Sequence, residues 1–140
     1  IYPRGIHDLL VRIWGDYRHP RMLITENGVP EPDTVGPDGG VHDRARIQYL
    51  RDHLAQVCLA MDEGVPVKGY FVWSVLDNFE WDLGYQMRFG LVHVNYDTQQ
   101  RTVKDSGWWY RDLIRASAGG TSAQDRRGAP ALRSGAVQAP

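Results

Sequence analysis

Two short apolar runs, each closed at once by acid and amide groups and the second by aromatic rings as well, constrain this chain more than any other feature. The first, "MLITENG", occupies residues 22–28; the second, "VKGYFVWSVLDNFEW", occupies residues 67–81. Neither run alternates apolar with polar side chains, so each predicts a strand covered on both faces, as in a parallel sheet sandwiched by helices. The surrounding residues supply those helices. Ile6, Leu9, Leu10, Ile13, Trp14 and Tyr17 recur at three- and four-residue spacing, which predicts a helix stopped by Pro20. Residues 29–40 hold three Pro and three Gly and form a loop. Asp43 is placed to cap a second helix, with Ile47, Leu50, Leu54, Val57, Cys58 and Met61 on its buried side and Gly64 to end it. After the second strand, residues 89–95 and 100–103 flank a polar turn at Asp97 and predict a strand pair. Asp105 is placed to cap a last helix through Trp108, Trp109, Tyr110, Leu113 and Ile114.

The order helix, strand, helix, strand, helix is that of an α/β protein. In α/β barrels, active sites gather where strands meet the loops that follow them, and a whole barrel takes roughly 250 residues. This chain has 140. Two strand–helix units fit the end of a barrel rather than a complete one, with a short doubly wound sheet as the competing architecture. From Ala116 onward 16 of 25 residues are Ala, Gly, Ser or Pro, and the large apolar groups are only Leu132 and Val137. Such a segment buries too little surface to offset its ordering entropy. The expected division is therefore a folded part over residues 1–115 and a disordered tail over residues 116–140.

A net charge of −1 points to neither nucleic acid nor a membrane surface, and no apolar run approaches the length of a spanning helix. The opening "IYPRGIHDLL" lacks a signal-peptide pattern, which points to the cytoplasm, and it lacks an initiator Met, as expected of a chain that starts inside a longer protein. The single cysteine, Cys58, excludes an internal disulfide and reads as a buried, inert thiol on the apolar side of its helix. His7, His19, His42, His53 and His93 show no metal-ligand spacing, so no metal is expected. Residues 36–40, "GPDGG", lack the Lys-Ser or Lys-Thr of a phosphate loop.

The chemistry lies at the two strand ends. Glu26 follows "LIT", where a rigid scaffold would hold a carboxylate at the rim of a cleft; a loop acid beside an Asn-Gly turn is the plain alternative. Trp73 lies near the end of the second strand, with Asp77, Asn78, Phe79, Glu80 and Trp81 after it. A pyranose needs an aromatic surface for its C–H face and polar groups for its rim. Trp73 supplies such a surface, Glu80 accepts hydroxyl hydrogen bonds, and the Trp81 indole donates one. The alternative places Trp73 and Phe79 in a core. Asp77 and Asn78 are assigned to holding the loop through local side-chain to backbone bonds. Paired carboxylates are the requirement of glycoside hydrolysis, with Glu26 as candidate nucleophile.

At these residues the sequence resembles the C-terminal part of glycoside hydrolase family 1, the bacterial β-glucosidases in particular. "ITENG" resembles that family's nucleophile motif, and "WSVLDNFEW" followed by "GYQMRFGLVHVNYDTQQRTVKDSGWWYRDLI" resembles its closing segment. The resemblance implies the C-terminal portion of a (β/α)8 TIM barrel, about its last two strand–helix units. It implies retaining, cofactor-free hydrolysis of a terminal β-linked glucose or related sugar from a small β-glucoside or oligosaccharide. It identifies Glu26 as nucleophile, Trp73 as the ring under the sugar, Glu80 and Trp81 as hydroxyl partners, and Phe89 as an aromatic residue lining the same pocket. The family's acid/base motif, Thr-x-Asn-Glu-Pro, has no counterpart here, and such help is typically worth about 10²–10⁴ in rate. The expectation is a β-glucosidase fragment inactive alone, with a non-catalytic sugar-binding module or an inactive truncated product as the alternatives.

Overall fold

The computed structural model describes residues 1–119. Its elements run α1 (Arg4–Asp16), β1 (Met22–Asn27), α2 (Arg44–Asp62), β2 (Val67–Val72), a single 3-10 turn (Trp81–Leu83), β3 (Val92–Val94), β4 (Arg101–Val103) and α3 (Asp105–Gly119). β1 and β2 pair in parallel through the α2 crossover, and β3 and β4 form the expected antiparallel pair. The two-strand parallel sheet, flanked by its helices, is the C-terminal portion of a (β/α)8 barrel and does not close on itself. Among the described residues, no helix is long and apolar enough to cross a membrane.

The core lies between one face of the sheet and the helices. Leu10 of α1 and Val57 and Ala60 of α2 pack with Val65 and Val67, and Ile6, Val11, Trp14, Met22, Ile24 and Tyr70 close around them. From α3, the Tyr110 hydroxyl donates to the Tyr70 carbonyl at 3.1 Å, which brings that helix to the strand as well. Gly64 ends α2 as expected, taking φ +101°, a left-handed turn that glycine adopts without a side-chain clash.

The expectation that both strands are covered on both faces is corrected. Leu23 of β1 is 60% exposed and Phe71 of β2 is 59% exposed. They share one face, because a Cβ on Gly69 would stand 2.8 Å from Leu23 and 3.5 Å from Phe71. A largely apolar run encodes cover on both sides, and the described residues supply cover on one. The same reason leaves Leu9 and Tyr17 of α1 in water, although both belong to its apolar stripe.

On α2 the buried positions are Arg46, Leu50, His53, Val57 and Ala60. That stripe lies to one side of Cys58, which is exposed rather than buried. Partial burial, assisted by the charge of Asp62, still pushes the Cys58 thiol pKa up, so it is not a reactive thiolate. Asp43 holds the N-cap position of α2 but makes no side-chain capping bond to that helix; its Oδ2 accepts from the Arg46 guanidinium. Its Oδ1 instead accepts the backbone N–H of Ser106 at 2.8 Å, capping the first turn of α3. Asp105 is the first residue of α3 rather than its cap, and its carboxylate meets His42 Nδ1 at 2.8 Å. The helix continues past Ala116 to Gly119, through alanines that favour it and with the Ser117 hydroxyl bonded to the Leu113 carbonyl. The rest of the expected tail, residues 120–140, lies outside the described residues.

Candidate active site

A bulge in β1 interrupts the strand at Glu26. Ile24 pairs with Tyr70, and the next pair is Asn27 with Val72, so three steps along β1 match two along β2. The extra residue breaks the alternation of faces. Ile24 faces the helices, and Asn27 does so too, since its Oδ1 accepts the hydroxyl of the core residue Tyr70 at 2.7 Å. Thr25 and Glu26 between them are both exposed. Glu26 thus falls outside the regular alternation and stands exposed at the C-terminal end of its strand.

The second strand ends beside it. Parallel pairing places both C-terminal ends at one rim, and the Trp73 N–H donates to the Asn27 carbonyl at 3.0 Å. The approach is tight enough to demand glycine at position 28, where a Cβ would stand 1.9 Å from the Trp73 carbonyl oxygen. Continuing the alternation from Gly69 and Phe71, the Trp73 ring belongs to the open face. Its indole Nε1 stands 3.5 Å from Glu80 Oε2, a long contact that nonetheless sets indole and carboxylate side by side. Phe89 joins through its backbone, whose carbonyl accepts the Ser74 N–H at 3.2 Å. Trp81 opens the 3-10 turn and is 81% exposed. The structure therefore gathers Glu26, Trp73, Glu80 and Phe89 along one rim and leaves Trp81 standing out from it.

Beneath this rim lies a group of charged residues of which the sequence points out only Asp43 and Asp77, each in a local role. Lys104, fully buried, donates to Asp33 Oδ2 at 2.5 Å and to Asp77 Oδ1 at 2.7 Å. Arg46, also fully buried, donates to Asp33 Oδ2 at 2.7 Å, to the Arg88 carbonyl at 2.6 Å and to Asp43. Arg88 Nη1 bonds Asp77 Oδ2 at 2.7 Å. The expected local role of Asp77 is corrected. Its partners are distant in sequence: Arg88, Lys104, the Gly90 N–H at 2.9 Å and the Val94 N–H at 3.3 Å. Asn78 keeps the expected local role, donating to Ser74 Oγ and the Leu76 carbonyl. Burial alone would raise the Asp77 pKa; the Lys104 ammonium and Arg88 guanidinium overcome it and hold the carboxyl below its usual range. Three carboxylates (Asp33, Asp43, Asp77) meet three cations (Arg46, Arg88, Lys104), so the group is neutral. It joins the loop after β1, the start of α2, the loop after β2 and the start of α3. A cation on the apolar stripe of α2 was the one local sign of it; Lys104 carries none.

Two histidines outside this group are flanked by acids on both ring nitrogens. His7 lies 2.9 Å from Asp8 and 2.9 Å from Glu63; His42 lies 2.8 Å from Asp105 and 2.9 Å from Asp38. Their pKa values are raised, His7 by Asp8 and Glu63 and His42 by Asp105 and Asp38, which favours imidazolium donating on both sides. Among the described residues, no cluster of three or more His, Cys, Asp or Glu side chains is arranged to hold a metal ion.

The family model for glycosyl hydrolase family 1 matches residues 1–118. A β-glucosidase A from Acetivibrio thermocellus is 50% identical over 115 residues, and one from Thermotoga maritima is 53% identical over 115. Each match covers 82% of this chain and 26% of the relative. A solved structure of the family 1 β-glucosidase from Thermotoga maritima, in complex with isofagomine lactam, superposes with a TM-score of 0.81 at 53% identity, again over 82% of this chain and 26% of that one. The chain thus spans about a quarter of the length of the relatives it matches.

Proposed function

The chain belongs to glycosyl hydrolase family 1, and from that premise we propose that it supplies the nucleophile side of a retaining β-glucosidase site, working only within a complete barrel. What supports this reading is the shared rim: parallel pairing sets the exposed Glu26, at the C-terminal end of β1, beside the end of β2 that leads into Trp73 and Glu80. The Glu26 carboxylate attacks the anomeric carbon of a terminal β-linked glucose or related sugar. The glycosidic C–O bond breaks, and the leaving oxygen takes a proton from a second carboxyl group supplied by another part of the barrel. That group, now a base, removes a proton from water, which displaces Glu26 and frees the sugar. Trp73 bears the apolar face of the ring, Glu80 and Trp81 hold its hydroxyls, and Phe89 lines the pocket. Among the described residues the pocket has no opposite wall, and Trp81 stands in solvent. That favours loss of both turnover and tight sugar binding in the isolated chain over the reading as a stand-alone sugar-binding module.

The test grafts residues 1–118 in place of the matching quarter of the Thermotoga maritima enzyme and follows aryl β-glucoside hydrolysis. The graft should turn over, and Glu26→Gln in it should fall to the uncatalysed level. A 2-deoxy-2-fluoro-glucoside should label Glu26 and no other carboxylate. Undiminished turnover in Glu26→Gln removes the proposal. Saturable glucose binding by the isolated chain, read by calorimetry, would favour the binding module instead.

A further inference from the structure

Three bare surfaces meet along β1. Its outer edge has no partner strand, since among the described residues the parallel sheet is β1 and β2 alone. Beside that edge runs an open groove of about 690 Å³, lined by Leu9, Leu10 and Ile13 of α1 and by Leu23, Thr25 and Glu26 of β1. Around the corner, the open face presents Leu23 and Phe71, each more than half exposed. An unpaired edge beside exposed apolar side chains is a template for a further strand. We propose that these surfaces form one docking face whose occupant is the N-terminal three quarters of a family 1 barrel, able to bind it as a separate polypeptide.

Length and geometry select this occupant. The match covers 26% of each relative, so about three quarters of a relative lies outside it. Two of a barrel's eight strands are here, and six strand–helix units need about that much chain. The first of the added strands would lie parallel to β1, take its free N–H and C=O groups and fill the groove against α1. The inner side chains of the others would cover Leu23 and Phe71. A second copy of this chain fits less well. Two copies joined through the same edge are related by a two-fold axis, which makes the new pairing antiparallel. They also bring only four strands, too few to close a barrel around the open face. The inference rests on family membership and not on the role of Glu26.

The test co-expresses the full 140-residue chain with the N-terminal three quarters of the Thermotoga maritima β-glucosidase. Size-exclusion with light scattering and hydrogen exchange are the readouts. A 1:1 complex is expected, with slowed exchange at the amides of residues 22–27, and Leu23→Asp should weaken association by about tenfold or more. Separate elution of two soluble polypeptides overturns the proposal, and so does association indifferent to Leu23→Asp. A homodimer of the 140-residue chain that Leu23→Asp splits overturns it too, in favour of a second copy. A second arrangement removes any dependence on separate folding: the grafted enzyme carries a protease site just before residue 1 and is cut after folding. The two pieces should stay together through chromatography; their parting overturns the proposal. Glu26→Gln separates the two readings. Glu26 also lines the groove, but Gln keeps its shape, so the complex should still form while turnover is lost; association together with Glu26-independent turnover would remove the catalytic reading and keep the docking face.

Discussion

Beneath the loops at the strand ends, six charged side chains lie almost wholly out of water, whereas on the open face of the sheet Leu23 and Phe71 stand more than half in it. The first region is complete within this chain: Asp33, Asp43 and Asp77 each meet a cation, and Lys104 and Arg46 are donors to several acceptors. The second has half of what it needs. A charge leaves water only when its partners arrive with it, so a buried ionic group must be closed locally in space. Apolar side chains tolerate exposure at modest cost until a partner covers them. The contrast separates what this piece of barrel settles by itself, the setting of its two strand-end loops, from what it leaves to the rest of a barrel.

The sharpest way to break the contrast is to remove a charge from the joint. Lys104→Met leaves Asp33 and Asp77 short of a buried partner, and loss of one member of such a group costs about 3–5 kcal/mol. That is a large part of the ~5–15 kcal/mol typical of a domain. Urea unfolding followed by Trp fluorescence should show a greatly lowered midpoint; a shift near zero would mean that the joint is not what holds the loops. Next comes the contact between the strand ends. Gly28→Ala places a Cβ 1.9 Å from the Trp73 carbonyl, so backbone must move, at a cost of about 1–3 kcal/mol in the same measurement.

The pH response should differ between regions as well. The Asp77 pKa is depressed in the folded chain, so its contribution to stability is present above its ordinary carboxylate range and is lost as pH falls through the folded value. His7 and His42 have raised values, so theirs is full below about 6.5 and is lost as pH rises through the folded values. Stability measured against pH should therefore decline on both sides, and His7→Gln with His42→Gln should flatten the alkaline limb while leaving the acid limb in place. Smallest of all should be Phe71→Ser on the open face. In the isolated chain it should change stability by no more than about 0.5 kcal/mol, as for exposed positions generally. In a complete barrel the same change should cost about 3 kcal/mol or more, the scale of a large truncation in a core.

Much of the architecture was legible in the residues. Three- and four-residue apolar spacing located α1 and α2, largely apolar runs located β1 and β2, and Gly64 marked the end of α2 because its φ of +101° suits glycine. The site was legible as residue types at two strand ends. What was hidden is equally specific. "MLITENG" contains no sign of the bulge, because a bulge is a mismatch between two strands and exists only once β2 is alongside. Asp43 was read as the cap of its own helix because capping is usually local, and it caps α3 across 63 positions. Cys58 was placed inside because the helix pattern shows an apolar side without showing which part of it meets a neighbour.

The sequence by itself determined the order of the elements, the two largely apolar strands, the carboxylate and indole–acid clusters that close them, and the family to which they belong. Those properties are carried by residues close together along the chain, where backbone preference and side-chain periodicity act. Only the tertiary structure decided that a bulge between Ile24 and Asn27 interrupts β1 at Glu26, that Lys104 joins Asp33 to Asp77 across 71 and 27 positions, and that, among the described residues, one side of the sheet is covered and the other bare. Each of these depends on contacts between groups far apart in the chain, whose formation no local pattern records.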